Sequence, residues 1–121
     1  MALSPDQLAA IDRTNEVLIE TFSDRGPTKT IIWIVEIDGD VYVRSVRGED
    51  GAWYQRVLAN PLAAIHVNGE RIEFRASHVD DAGTIETVDE ALRAKYPAGG
   101  SLDRMTRDEV LGTTLRLDPI D

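Results

Sequence analysis

The chain contains no cysteine among its 121 residues. Disulfides, thiolate nucleophiles and cysteine-ligated zinc or iron–sulfur centres are therefore excluded. Histidine is scarce as well. His66 and His78 are the only two, they fall in different strand-like segments, and no metal site is expected. Long apolar runs are missing: nothing approaches the roughly 20 residues of a membrane span, so no membrane partner is expected. The start MALSPDQLAAIDR has neither the basic beginning nor the apolar stretch of a secretory signal, and a cytoplasmic location is expected. Positive charge is outnumbered, 13 Lys and Arg against 22 Asp and Glu, for a formal net charge of −9. Nonspecific affinity for nucleic acid is carried by cations, so no nucleic-acid partner is expected, and a bound phosphate would have to sit in one local pocket.

What is present is the composition of one globular domain, 42% apolar and 29% charged, spanning 1–121 with a short N-terminal helix over 4–13 and a barrel over about 16–118. Ser4-Pro5-Asp6 reads as a cap, a first-turn proline and a first-turn acid. Glu16–Phe22 alternates as a strand, and SDRGPTK (23–29) reads as a loop. TIIWIVEI (30–37), the Asp38-Gly39-Asp40 turn and VYVRSV (41–46) form the strongest hairpin, and Asn68-Gly69 turns a second one between LAAIHV (62–67) and ERIEFRASHV (70–79). A helix with the face Trp53, Val57 and Leu58 precedes the stop at Asn60-Pro61. A second helix runs from a Thr84 cap to Pro97, and PAGGS reads as a flexible connector. Thr106 and Glu109 have capping-box spacing before a short helix that Gly112 closes, and TTLRL (113–117) makes the last strand. Six β segments joined mainly by hairpin turns, with short helices between them, predict a mainly β fold: a six-stranded, Greek-key-like antiparallel barrel.

The chain is organised around Val41–Pro61. A strand carries Arg44, Ser45 and Arg47 into a turn at Gly48, and a helix begins with Trp53-Tyr54. A basic turn leading into a helix can hold an anion. Arg44 and Arg47 could instead lie on a wet face and pair with Glu49, Asp50 or Glu36. Trp53 could plug one barrel end, and Trp33 reads as core. His66 and His78 read as ordinary strand histidines. Ser45 has no histidine–carboxylate partners in view, which disfavours serine hydrolysis.

The run Gly26–Asp118 resembles the flavin- and deazaflavin-binding split β-barrel proteins, in their nitroreductase and quinone-reductase-like branch. The resemblance is carried by Arg25–Lys29, Ile31–Val35, Asp38-Gly39-Asp40, Val43–Arg47, Gly48, Trp53-Tyr54 and Leu58-Ala59-Asn60-Pro61, then Val67 and Gly69, Tyr96-Pro97, and Leu115, Leu117 and Pro119. The YVRS, glycine and Trp-Tyr wording looks closest to a small bacterial family of unknown function. One departure stands out: Asp24–Lys29 is shorter, and has fewer glycines and basic residues, than the cofactor loop of deazaflavin-dependent members.

The resemblance implies FMN or a deazaflavin coenzyme as cofactor, hydride transfer to a small organic substrate, and a homodimer. It implies a cofactor site built from Lys29, Ile31, Trp33, Arg44, Ser45, Arg47, Gly48, Trp53 and Tyr54, with cations and hydroxyls for a phosphate and a flat apolar surface for a ring. The alternative is a non-catalytic member of the same fold that binds a small anionic ligand or a partner protein.

Overall fold

The computed structural model describes residues 3–120. Helix α1 (Pro5–Arg13) opens with a complete capping box: Ser4 Oγ accepts the Gln7 amide, and Gln7 Oε1 accepts the Ser4 amide. Seven strands follow: β1 (Glu16–Ser23), β2 (Gly26–Trp33), β3 (Val35–Ile37), β4 (Asp40–Val43), β5 (Leu62–Val67), β6 (Glu70–His78) and β7 (Leu115–Pro119). All pairings are antiparallel, and they form one curled sheet in the order β2-β1-β5-β6-β7-β4-β3. Both predicted hairpins belong to this sheet. Their turns place Asp38-Gly39 and Asn68-Gly69 at positive φ (52° and 90°, 53° and 79°), the left-handed pair that a two-residue hairpin with the sheet's own twist requires.

The count of seven corrects the six expected from sequence. The predicted single strand Thr30–Ile37 is divided at Ile34, and its two halves serve the two ends of the sheet. Side chains from a later helix take the place of ladder partners there. The Ile34 amide donates to Tyr96 Oη at 3.0 Å, and Lys95 Nζ donates to the Ile34 carbonyl at 2.7 Å. The expected loop 23–29 contracts to the Asp24-Arg25 turn, because Gly26–Ser23 through Trp33–Glu16 pair in continuous register.

Helix α2 (Ala52–Ala59) buries Trp53, Tyr54 and Val57, while Leu58 points outward at 58% exposure. The inward face is thus the i, i+1, i+4 set rather than the predicted one containing Leu58. Helix α3 (Ala82–Lys95) starts earlier than predicted. Its cap is Asp81, whose Oδ2 accepts the Thr84 amide at 2.7 Å. The supposed connector is partly helical, α4 (Gly100–Thr106), and α5 (Asp108–Leu111) follows Arg107 without a side-chain cap. Thr106 donates to the Leu102 carbonyl inside α4 instead of capping α5. Thr113 and Thr114 bond back to Val110 and Leu111, so the last strand begins at Leu115 and not at Thr113.

The hollow of the curled sheet is filled by α1, α2 and the inward side chains of the strands, among them Ile11, Ile19, Ile34, Trp53, Ile65, Phe74 and Leu117. A second apolar cluster lies between α3, α4 and the outer side of β3 and β4: Val35, Tyr42, Val88, Leu92, Tyr96, Leu102 and Met105. Because both faces of β4 are covered, Val41, Tyr42 and Val43 are all buried. Among the described residues no helix is long and apolar enough to cross a membrane.

Candidate functional site

One cavity of about 490 Å³ opens where β2, the segment after β4, the start of α2 and helix α4 meet. Ile31, Ile32, Trp33, Trp53 and Met105 give it apolar walls. Arg44, Ser45, Arg47, Thr30, Ser101, Arg104 and Glu16 supply its polar groups. Trp33 is held in place from behind, stacked on the Tyr96 ring at 3.9 Å with the planes 2° apart. Tyr96 is itself fixed, since its hydroxyl accepts the Ile34 amide and donates to the Asn15 carbonyl at 2.6 Å. Burial pushes that phenol up to about 12.

The two arginines singled out by sequence have different fates. Arg44 is 2% exposed and fully engaged in protein contacts. Its Nε donates to Thr114 Oγ1 at 2.9 Å, Nη2 to the Ile85 carbonyl at 2.9 Å, and Nη1 to the Met105 carbonyl at 3.1 Å and to Asp89 Oδ1. It therefore clasps α3, α4 and the segment just before β7 together at the back of the cavity. For Arg44 the alternative expectation, a wet arginine paired with Glu49, Asp50 or Glu36, is overturned, because the partner is Asp89 from a helix far along the chain. Arg47 is exposed at the cavity and takes part in no ion pair among the described residues.

Ser45 is 1% exposed and lines the cavity, and its Oγ is the one buried side-chain polar atom among the described residues without a hydrogen-bond partner. Gly51 packs directly against it, so a Cβ at that position would come 2.1 Å from Ser45 Oγ. The first turn of α2 begins at this point and receives no side-chain cap. An unpartnered hydroxyl, uncapped first-turn amides and an unpaired guanidinium together suit a phosphate or carboxylate. The flat walls of Trp33, Trp53 and Ile31 suit a planar ring.

Of the remaining expected site residues, Ile31, Trp33 and Trp53 line the cavity, while Lys29, Gly48 and Tyr54 do not. Lys29 is exposed on β2 opposite Glu20. The Gly48 amide is spent on the Ser45 carbonyl at 2.9 Å, and Gly48 serves the turn itself at φ 68°. Tyr54 points into the core. Glu16, Thr30, Ser101, Arg104 and Met105 went unrecognised in the sequence. The Ser-x-x-Arg-Met spacing of the last three is a helical signal, obscured by the glycines immediately before it.

The histidines stand outside the cavity. His66 Nε2 lies 2.8 Å from Glu20 Oε1, which also accepts Arg71 Nε at 2.9 Å. These hydrogen bonds from His66 and then Arg71 hold the Glu20 carboxyl below its usual range. His78 Nε2 lies 2.7 Å from the Gly112 carbonyl. Among the described residues no group of three or more His, Cys, Asp or Glu side chains could hold a metal ion.

Residues 7–117 match the family described as "Uncharacterized protein conserved in bacteria (DUF2255)". The chain belongs to this family. No curated protein matches the chain. Several solved structures share its fold. An FAD-binding protein from Mesorhizobium loti is 16% identical with a TM-score of 0.67, covering 100% of this chain and 91% of that one. An F420-H2 dependent reductase, FDR-A, is 17% identical with a TM-score of 0.63, covering 86% and 94%. HutZ, a heme storage protein from Vibrio cholerae, is 16% identical with a TM-score of 0.68, covering 100% and 92%. At such identities the likeness concerns the fold, which places this member of the family on the split-barrel scaffold.

Proposed function

We propose that the cavity binds a flavin or deazaflavin coenzyme and that the chain is a cytoplasmic oxidoreductase acting on a small organic substrate. The observation that carries the reading is the pairing, in one cavity, of flat aromatic walls with an anion-suited end. The ring would lie against Trp33, Ile31 and Trp53. The phosphate would meet Arg47, the partnerless Ser45 hydroxyl and the open first turn of α2. A bound coenzyme of this kind supplies hydride transfer, and the protein's share is binding, orientation and exclusion of water. Split-barrel proteins with FAD and F420 in their descriptions support the choice of cofactor class.

This reading pairs two copies of the chain along the flank where β2 carries one edge of the sheet and Ile31 is 64% exposed. Sedimentation should give a dimer at micromolar concentration. A monomer across that range would remove the dimer from the proposal.

The second reading, a non-catalytic binder of a small anionic ligand, is favoured by one observation. The basic segment 25–29 forms a tight turn and an edge strand rather than a loop over the cavity, and Lys29 stands away from it. Titration of the purified chain with FMN and with F420, followed by coenzyme fluorescence, decides between the two. Saturable uptake of one coenzyme per chain, weakened about tenfold by Arg47→Ala through loss of a hydrogen bond to a charged group, supports the first. No uptake of either coenzyme leaves the second.

A further inference from the structure

The cavity has more cation than one phosphate needs. Arg44 is neutralised by Asp89 and contributes little outward field. Two further guanidiniums line the same space from different elements: Arg47 before α2, and Arg104 on α4. Neither forms an ion pair among the described residues, although the chain holds 22 carboxylates against 13 Lys and Arg, and Arg104 has Asp103 beside it in sequence and Asp108 four residues on. Glu16 is the one carboxylate in the lining. In an acidic protein, unpaired guanidiniums facing a shared cavity leave it locally positive and short of anion.

The second cation has a companion. Ser101 and Arg104 are one turn apart on α4, and both face the cavity. Side chains spaced i, i+3 have Cβ atoms about 5–6 Å apart on one helix face, a span that lets a hydroxyl and a planar guanidinium fork grip the two oxygens of one carboxylate. Met105, next in line, offers apolar surface at the same wall. The height of this wall is set from behind by Arg44, which holds the Met105 carbonyl.

We infer that the cavity takes, besides the coenzyme, a small organic acid, whose carboxylate is read by Arg104 and Ser101 and whose apolar body lies against Met105 and the tryptophans. The inference rests on the cavity being the ligand site proposed above, and it names the chemical class of the second ligand. Arg47 and Ser45 serve the coenzyme; Arg104 and Ser101 serve the acid.

Trp33 and Trp53 are the only tryptophans and both line the cavity, so intrinsic emission reports on its contents directly. The test is titration of the full chain with benzoate and with benzamide, which share a ring and differ in charge, with and without added FMN. Benzoate should quench saturably and bind at least about tenfold more tightly than benzamide, the difference expected of a charge-assisted hydrogen bond. Arg104→Ala should erase that preference, Arg104→Lys should restore part of it, Ser101→Ala should reduce it, and Lys29→Ala, exposed on β2 away from the cavity, should leave it in place. Thermal melts of the variants establish that the exposed substitution leaves the fold intact. The inference is overturned if neither probe binds, if benzoate and benzamide bind alike, or if Arg104→Ala retains the preference. Failure of FMN to bind while the Arg104-dependent preference for benzoate persists would overturn the coenzyme reading and leave the acid site standing.

Discussion

Replacing Arg44 with alanine separates the ligand contact expected from its sequence context from the internal clasp seen in the structure. In the structure its guanidinium is 2% exposed, with donors on Thr114 Oγ1, the Ile85 and Met105 carbonyls and the Asp89 carboxylate. Truncation leaves those acceptors without their donor and leaves Asp89, whose side chain is only 15% exposed, without a counter-charge. Breaking a buried pair from one side costs about 3–5 kcal/mol. At about 2.1 cal/mol/K of unfolding entropy per residue, a chain of 121 residues would melt about 12–20 °C lower. The assay is urea unfolding monitored by tryptophan emission, with a thermal melt beside it. Asp89→Ala should destabilise comparably, at the lower end because of its partial exposure. Arg44→Met with Asp89→Leu should recover most of the loss, since apolar replacement of a whole buried pair is often neutral. A stable Arg44→Ala protein, within about 1 kcal/mol of wild type but with weakened coenzyme binding, would refute the clasp and return Arg44 to the ligand.

Gly51→Ala should destabilise by about 1–3 kcal/mol, the usual cost of overpacking, because the new Cβ would collide with Ser45 Oγ. Adding Ser45→Ala should relieve most of the loss in a thermal melt, and no relief would mean that the contact is not limiting. Tyr96→Phe keeps the stack on Trp33 but leaves the Ile34 amide and the Asn15 carbonyl without their hydroxyl partner. It should cost about 1–3 kcal/mol in urea. The Tyr96 phenol is raised to about 12 in the fold against an ordinary 10, so its contribution is whole below about pH 10 and is lost as pH rises toward 12. Urea midpoints at pH 9, 10 and 11 should therefore fall less steeply in Tyr96→Phe, with Tyr42 and Tyr54, also raised by burial, keeping some slope. Glu20, depressed by His66 and then Arg71, stabilises the fold above its ordinary pKa of 4.5, and that contribution is lost as pH falls below it. Glu20→Gln should be less acid-sensitive in a pH-jump unfolding series, and an unchanged acid midpoint would dismiss the His66–Glu20–Arg71 cluster as its source.

Local chemistry was legible in the sequence wherever it acts within a few residues. Asp38-Gly39 and Asn68-Gly69 can take the positive φ of hairpin turns at little cost, Ser4 caps the helix beside it, and period-2 alternation in sequence marks β1 and β6. Those signals were enough for a curled antiparallel sheet, and the family resemblance named less than half of the cavity lining: Ile31, Trp33, Arg44, Ser45, Arg47 and Trp53. Partners distant in sequence decided the rest. The break at Ile34 depends on Tyr96 and Lys95, more than sixty residues on, whose side chains displace a strand partner that Ile34 itself gives no sign of lacking. Arg44 reads as a surface cation until Asp89, Ile85, Met105 and Thr114 close around it, and only their joint burial turns a binding residue into a clasp. α4 forms although Gly99 precedes it and Gly100 is its first residue, because Leu102 and Met105 gain a shared apolar cluster with α3 and β4. That burial outweighs local propensity, and it brings Ser101 and Arg104 to a cavity whose other walls come from Glu16, β2 and the stretch from Arg44 to Trp53, far earlier in the chain. A one-dimensional pattern reports what each residue prefers near itself; which charges are spent and which remain free is set by what the fold brings against them.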